Sequence, residues 1–126
     1  MKILVVDDDY WFVERILSSW RNAGLEGRGL TYDQGGWWLI DESGHGSCPS
    51  DLPTLFQEVE VIFLDDRMPM MSGEELLVML QDRGVPLHEK RVIGISCGDQ
   101  TYVKEHVNSP GMITYPHFVK KLLGIN

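Results

Sequence analysis

A chain of 126 residues, 43% of them hydrophobic, is long enough to bury one ordinary core without disulfide or metal staples, so a single domain over residues 1–126 is expected. Its formal net charge of −8 argues against direct binding to nucleic acid or to an anionic membrane, both of which need a basic face. Cys48 and Cys97 show no metal-finger or C-x-x-C spacing, and no apolar run is long enough for a signal peptide or a membrane span, so a reduced, cytoplasmic protein is the expectation.

In chain order, Lys2-Ile3-Leu4-Val5-Val6 reads as a buried strand that ends in Asp7-Asp8-Asp9. Helical spacing of Trp11, Phe12, Ile16, Leu17 and Trp20 predicts a helix from Asp9 or Tyr10 to Asn22, stopped by Ala23-Gly24. Leu25 to Tyr32 occupies the place of a second strand, though its glycines weaken the signal. Residues 33 to 51 carry two glycine-rich turn clusters around Trp37-Trp38-Leu39-Ile40, which predicts a hairpin or irregular loop. A short helix follows within Ser50 to Glu58, capped by Ser50 or Asp51.

Val61-Ile62-Phe63-Leu64 is the third strand, and it delivers Asp65 to its carboxyl end. Gly73 to Leu80 reads as a helix with Glu74 and Glu75 favourably placed in its first turn, ended by Arg83-Gly84-Val85-Pro86. Arg91 to Ser96 is a fourth buried strand, Gln100 to Val107 a polar helix, Gly111 to Thr114 a weak fifth strand, and Phe118 to Leu123 a closing helix. Alternating strands and helices imply a doubly wound parallel sheet whose ligands bind beyond the carboxyl ends of the strands.

Two of those ends are acidic. Carboxylates crowded into one crevice raise each other's pKa unless a cation sits among them, and an oxygen-only, partly open site suits Mg²⁺, which pairs readily with phosphate. The pattern therefore points to phosphate chemistry at an aspartate.

Asp65-Asp66-Arg67-Met68-Pro69 with Gly73 beyond it, an opening strand ending in Asp7 and Asp8, and a fourth strand ending in Ser96 together resemble the receiver domain of bacterial two-component response regulators. The resemblance spans the chain and implies a flavodoxin-like, five-stranded parallel sheet with the insertion at residues 33–51. It implies that Asp65 accepts a phosphoryl group from a sensor histidine kinase or a histidine phosphotransfer protein. Asp7, Asp8 and Asp65 would hold Mg²⁺ with the backbone carbonyl of Arg67, and Ser96 would donate to a phosphoryl oxygen, with the small Cys97 beside it leaving access. It further implies a stand-alone, non-enzymatic switch that signals through a downstream protein, without direct nucleic-acid or membrane binding, and it leaves room for a homodimer.

The pattern departs from the family at the end of the fifth strand, where the family has lysine before proline and this chain is read as Tyr115-Pro116, a candidate for a cis bond. A phenol carries no charge near neutral pH, so phosphate-dependent switching is expected to be weaker or differently wired. Lys120 and Lys121 lie a turn downstream, facing elsewhere. The Arg67 guanidinium is placed by spacing to fork onto phosphate or to neutralise Asp66. Met112 stands where many members carry a switching aromatic.

Two rivals stay open. One is a degenerate receiver that binds partners regardless of phosphate. The other is an aspartyl-phosphate hydrolase of the haloacid dehalogenase type, which wants a second aspartate where Arg67 stands. Singly, Asp7, Asp8 or Asp65 would pass as a helix cap. His45 and Cys48 lack a second ligand pair for zinc, Trp37 and Trp38 are either an interface patch or domain packing, and His88, His106 and His117 are assigned to the surface.

Overall fold

The computed structural model describes residues 1–41, 43–96, 98 and 100–125. The role expected of Cys97 lies outside the described residues. One sheet runs through the molecule, built from β1 (Ile3–Val6), β2 (Gly27–Asp33), β3 (Gly36–Ile40), β4 (Gly46–Ser47), β5 (Val61–Leu64), β6 (Arg91–Gly94) and β7 (Glu105–His106), in the order β4-β3-β2-β1-β5-β6-β7. The five strands β2, β1, β5, β6 and β7 are parallel, and β3 and β4 add an antiparallel extension on one edge. The insertion at residues 33–51 is thus a hairpin that widens the sheet. Its turn places Gln34 and Gly35 at positive φ, the backbone that a two-residue hairpin turn requires.

Helices α1 (Tyr10–Asn22), α2 (Leu52–Gln57), α3 (Gly73–Asp82) and α4 (Pro116–Leu123) cover both faces. Strand side chains alternate between two cores. Ile3, Val5, Phe63 and Ile93 pack with Val13, Ile16, Trp20, Val119 and Leu123 of α1 and α4, while Leu4, Val6, Ile62 and Leu64 pack with Phe56, Leu76 and Leu80 of α2 and α3. A strand buried on both faces must be apolar at every position, which is why β1 and β5 read as unbroken runs.

β2 forms despite its glycines because α1 lies on them: a Cβ at Gly27 would stand 2.7 Å from the Trp20 ring, and one at Gly29 would collide with Val13. Gly73 opens α3 behind Ser72, whose hydroxyl accepts the Glu75 amide while the Glu75 carboxylate accepts the Ser72 amide. Two expected elements are absent. Among the described residues of 100–107 there is no helix, only turns leading into β7, and residues 110–114 form a 3₁₀ turn, with β7 as the fifth parallel strand. The Tyr115–Pro116 bond is trans.

The 3₁₀ turn wins over a strand because α1 offers it donors: Trp20 Nε1 donates to the Ile113 carbonyl at 2.7 Å and Ser19 Oγ to the Thr114 carbonyl at 2.6 Å. No helix among the described residues is long and apolar enough to cross a membrane.

Candidate functional site

β1 and β5 are parallel neighbours with Val6 opposite Leu64, so the next residues, Asp7 and Asp65, emerge side by side at the carboxyl edge. The ladder continues one step past each strand, with the Asp7 amide donating to the Leu30 carbonyl at 3.1 Å and the Asp65 amide to the Val6 carbonyl at 2.9 Å. Carboxylate oxygens of Asp7, Asp8 and Asp65 lie within 4.8 Å of one another. Asp9, the last acid of the run, caps α1 by accepting the Phe12 amide at 3.1 Å.

Burial pushes the Asp7 carboxyl up to about 7, with the charges of Asp65 and Asp8 adding to it and the Asp9 amide opposing. Burial likewise raises Asp65, to about 6, helped by the charge of Asp8 and opposed by the backbone amides of Arg67 and Asp66. Two carboxyls that resist ionising, with the Asp8 carboxylate beside them, form a site that a small divalent cation would relieve. The donor set is all oxygen, and it fits Mg²⁺.

The loop after Asp65 is held from both ends. Met68 is buried in the core under α3, and the Gly73 amide donates to the Asp66 carbonyl at 2.9 Å. Gly73 is required there, since a Cβ would stand 2.9 Å from the Asp65 carbonyl oxygen.

Across from Asp65, β6 runs on through Ile95, whose amide donates to the Leu64 carbonyl, to the buried Ser96, whose Oγ accepts the Gly98 amide at 3.2 Å. Asp7, Asp65, Arg67, Ser96 and Pro110 line a cavity of about 470 Å³.

Tyr115 is not among the residues lining that cavity. It is exposed, caps α4, and follows Thr114, which is bonded to Ser19. Ser19 lies ten residues along α1 from Asp9, roughly 15 Å down the helix axis, so Tyr115 sits towards the opposite end of the domain. The expectation placed it by taking residues 111–114 as the fifth strand. The X-Pro step that follows the real fifth strand is Ser109–Pro110, and Pro110 reaches the cavity. Met112 is exposed on the 3₁₀ turn and holds no strand position.

The segment read as a polar helix supplies a contact that no local pattern announced. The Tyr102 hydroxyl donates to Asp66 Oδ1 at 2.9 Å and accepts from Gln100 Nε2 at 2.8 Å, and Gln100 is 4% exposed. Burial and the Asp66 carboxylate hold the Tyr102 phenol well above its ordinary range, so it stays protonated and a donor. His106 departs from the surface expectation, with its Nε2 buried and unbonded among the described residues. Trp37 packs edge-on to Tyr32 at 5.2 Å whereas Trp38 is exposed, so the pair is not a shared patch.

No family model matches the sequence, and no curated protein matches it either. Solved structures do. The chain is similar to the chemotaxis protein CheY4 of Vibrio cholerae with a TM-score of 0.63 at 16% identity, over 98% of this chain and 95% of that one. It is similar to the receiver domain of the Francisella response regulator 1452 with a TM-score of 0.57 at 20% identity, over 97% and 98%. The chain has the receiver-domain fold.

Proposed function

We propose that residues 1–126 form a cytoplasmic receiver domain that takes a phosphoryl group on Asp65 from the phosphohistidine of a sensor kinase or phosphotransfer protein and signals through a downstream protein. The observation that carries this reading is the Asp7, Asp8 and Asp65 cluster, held within 4.8 Å at the ends of adjacent strands of a receiver-like sheet. In the transfer, an Asp65 carboxylate oxygen bonds to phosphorus as the P–N bond breaks, and the electron pair stays on the imidazole nitrogen. With its other nitrogen protonated the imidazole leaves neutral.

Asp7, Asp8, Asp65 and the Arg67 carbonyl would hold Mg²⁺, which when bound neutralises charge on the transferring oxygens. The amides of Asp66 and Arg67 favour the ionised form of the acceptor carboxyl. Ser96 donates its hydroxyl to a phosphoryl oxygen while still accepting the Gly98 amide, which draws on the connection between β6 and β7. Tyr102, in that connection, is bonded to Asp66 beside the acceptor, so the loops on both sides of the cavity respond together.

A second reading, a receiver-shaped module whose binding ignores phosphate, is favoured by one observation: no helix spans the described residues between β6 and β7. Tryptophan fluorescence separates the two, since Trp11 is 78% exposed next to the α1 cap. Under Mg²⁺, beryllofluoride is expected to give a saturable change that is absent in Asp65→Asn. Mg²⁺ binding without any beryllofluoride response would move the assignment to the second reading.

A further inference from the structure

The cavity beside Asp65 has an electrostatic deficit. Three carboxylates facing one divalent cation leave one negative charge, and an arriving phosphoryl group adds more. Asp9 lines the same cavity and contributes another acid. A lysine is not among its lining residues, Tyr115 stands elsewhere, and the residue before Pro110 is Ser109. Arg67 is the one cationic side chain among the described lining residues.

Its position is specific. Arg67 Nη2 comes within 3.6 Å of the point a Cβ would occupy on Gly98, and Ser96 Oγ lies 3.7 Å from that same point. Guanidinium and hydroxyl therefore flank one spot on the wall of the cavity that Asp65 also lines. A Cβ on Gly98 would stand in ordinary van der Waals contact with both the guanidinium and the Ser96 hydroxyl. The backbone amide of Arg67 at the same time favours the ionised Asp65 carboxyl, so one residue is placed to act on both the acceptor and the incoming group.

We propose that the Arg67 guanidinium is the phosphoryl-binding cation of this site, pairing with the outer oxygens alongside Ser96. The proposal rests on Asp65 being the acceptor. A planar guanidinium presents two parallel N–H donors to a tetrahedral anion, which suits this task better than a point charge. It also ties charge neutralisation to the β5 loop, whereas a cation beside Pro110 would tie it to the β7 end.

The test is beryllofluoride affinity at saturating Mg²⁺ for the wild type, Arg67→Ala, Arg67→Lys and Asp65→Asn, together with Mg²⁺ affinity in the absence of fluoride. Arg67→Ala is expected to weaken beryllofluoride binding by roughly tenfold or more, the size of a charge-assisted hydrogen bond, and Arg67→Lys to recover part of the loss. Mg²⁺ affinity should hold within about twofold, because the backbone carbonyl remains, and the salt dependence of beryllofluoride binding should flatten in Arg67→Ala. Equal beryllofluoride affinity in wild type and Arg67→Ala would overturn the role of Arg67 and leave Asp65 as acceptor. A parallel loss of Mg²⁺ affinity would also overturn it, by assigning the effect to the metal. A wild type indistinguishable from Asp65→Asn would overturn the acceptor reading itself and the proposal with it.

Discussion

The sheet from β4 across to β5 and the sheet from β6 to β7 hold their strands by different means. On the first side, β1 is an apolar run paired along its whole length on both edges, β2 extends over seven residues, and a hairpin adds two further strands. On the second, β7 has two residues and is kept in place largely by polar groups: Arg91 grips Glu105 through paired hydrogen bonds of 2.6 to 2.9 Å, and the Val107 amide donates to the Gly94 carbonyl at 2.7 Å. The acids stand at the well-packed side. The segments that would report their state stand at the lightly built one, which is where a fold can move at low cost.

The largest effect that sharpens this contrast is expected at the acceptor. Asp65→Asn should abolish phosphoryl uptake from any donor while leaving the circular dichroism spectrum unchanged, and residual uptake at the wild-type rate would move the acceptor elsewhere. Asp7→Asn should remove measurable Mg²⁺ binding and, without metal, stabilise the fold by up to about 4 kcal/mol at about pH 8, since a carboxylate raised to about 7 is held ionised there at a cost. The sign follows from proton counting. Between the ordinary carboxylate range and about 7 the native state holds more protons on Asp7 and Asp65 than the unfolded chain, so metal-free stability falls as pH rises through that window and then levels off. Denaturant titrations across the window, with and without Mg²⁺, check it.

On the other side the effects are smaller. Tyr102→Phe removes a hydrogen bond to Asp66 and leaves Gln100 Nε2 with a longer contact of 3.4 Å to the Leu64 carbonyl, and a loss of about 1 kcal/mol is expected in urea unfolding. The same variant should weaken the Ser96-side response to beryllofluoride more than it weakens the fold, and an unchanged response would break the link between the two loops. Glu105→Gln should cost at most about 1 kcal/mol, because the ion pair is one-third exposed, and that cost should shrink with added salt.

The same contrast explains what could be read from residues alone. β1 and β5 are legible because burial on both faces demands apolar residues throughout, and the acids at their ends stand out against that background. β2 is faint because Gly27 and Gly29 are chosen by the approach of Trp20 and Val13, a tertiary reason with no local mark. Gln100 and Tyr102 look like the polar face of a helix, yet their partners are Leu64, Asp66 and each other across the β5 edge. Ile113 and Thr114 look like a strand end, and their carbonyls instead receive donors from α1. That displacement takes Tyr115 out of the cavity lining and brings Pro110 into it. Arg67 is legible as a neighbour of Asp65 by spacing, but its approach to Gly98 next to the Ser96 hydroxyl is set by the fold.

The most direct test of the account is the intact mass of the protein after incubation with a small phosphodonor and Mg²⁺, beside Asp65→Asn and beside the wild type with a chelator. The account predicts one added phosphoryl group in the wild type with Mg²⁺, and none in either control. An unmodified wild type, or an equal gain in Asp65→Asn, would contradict it.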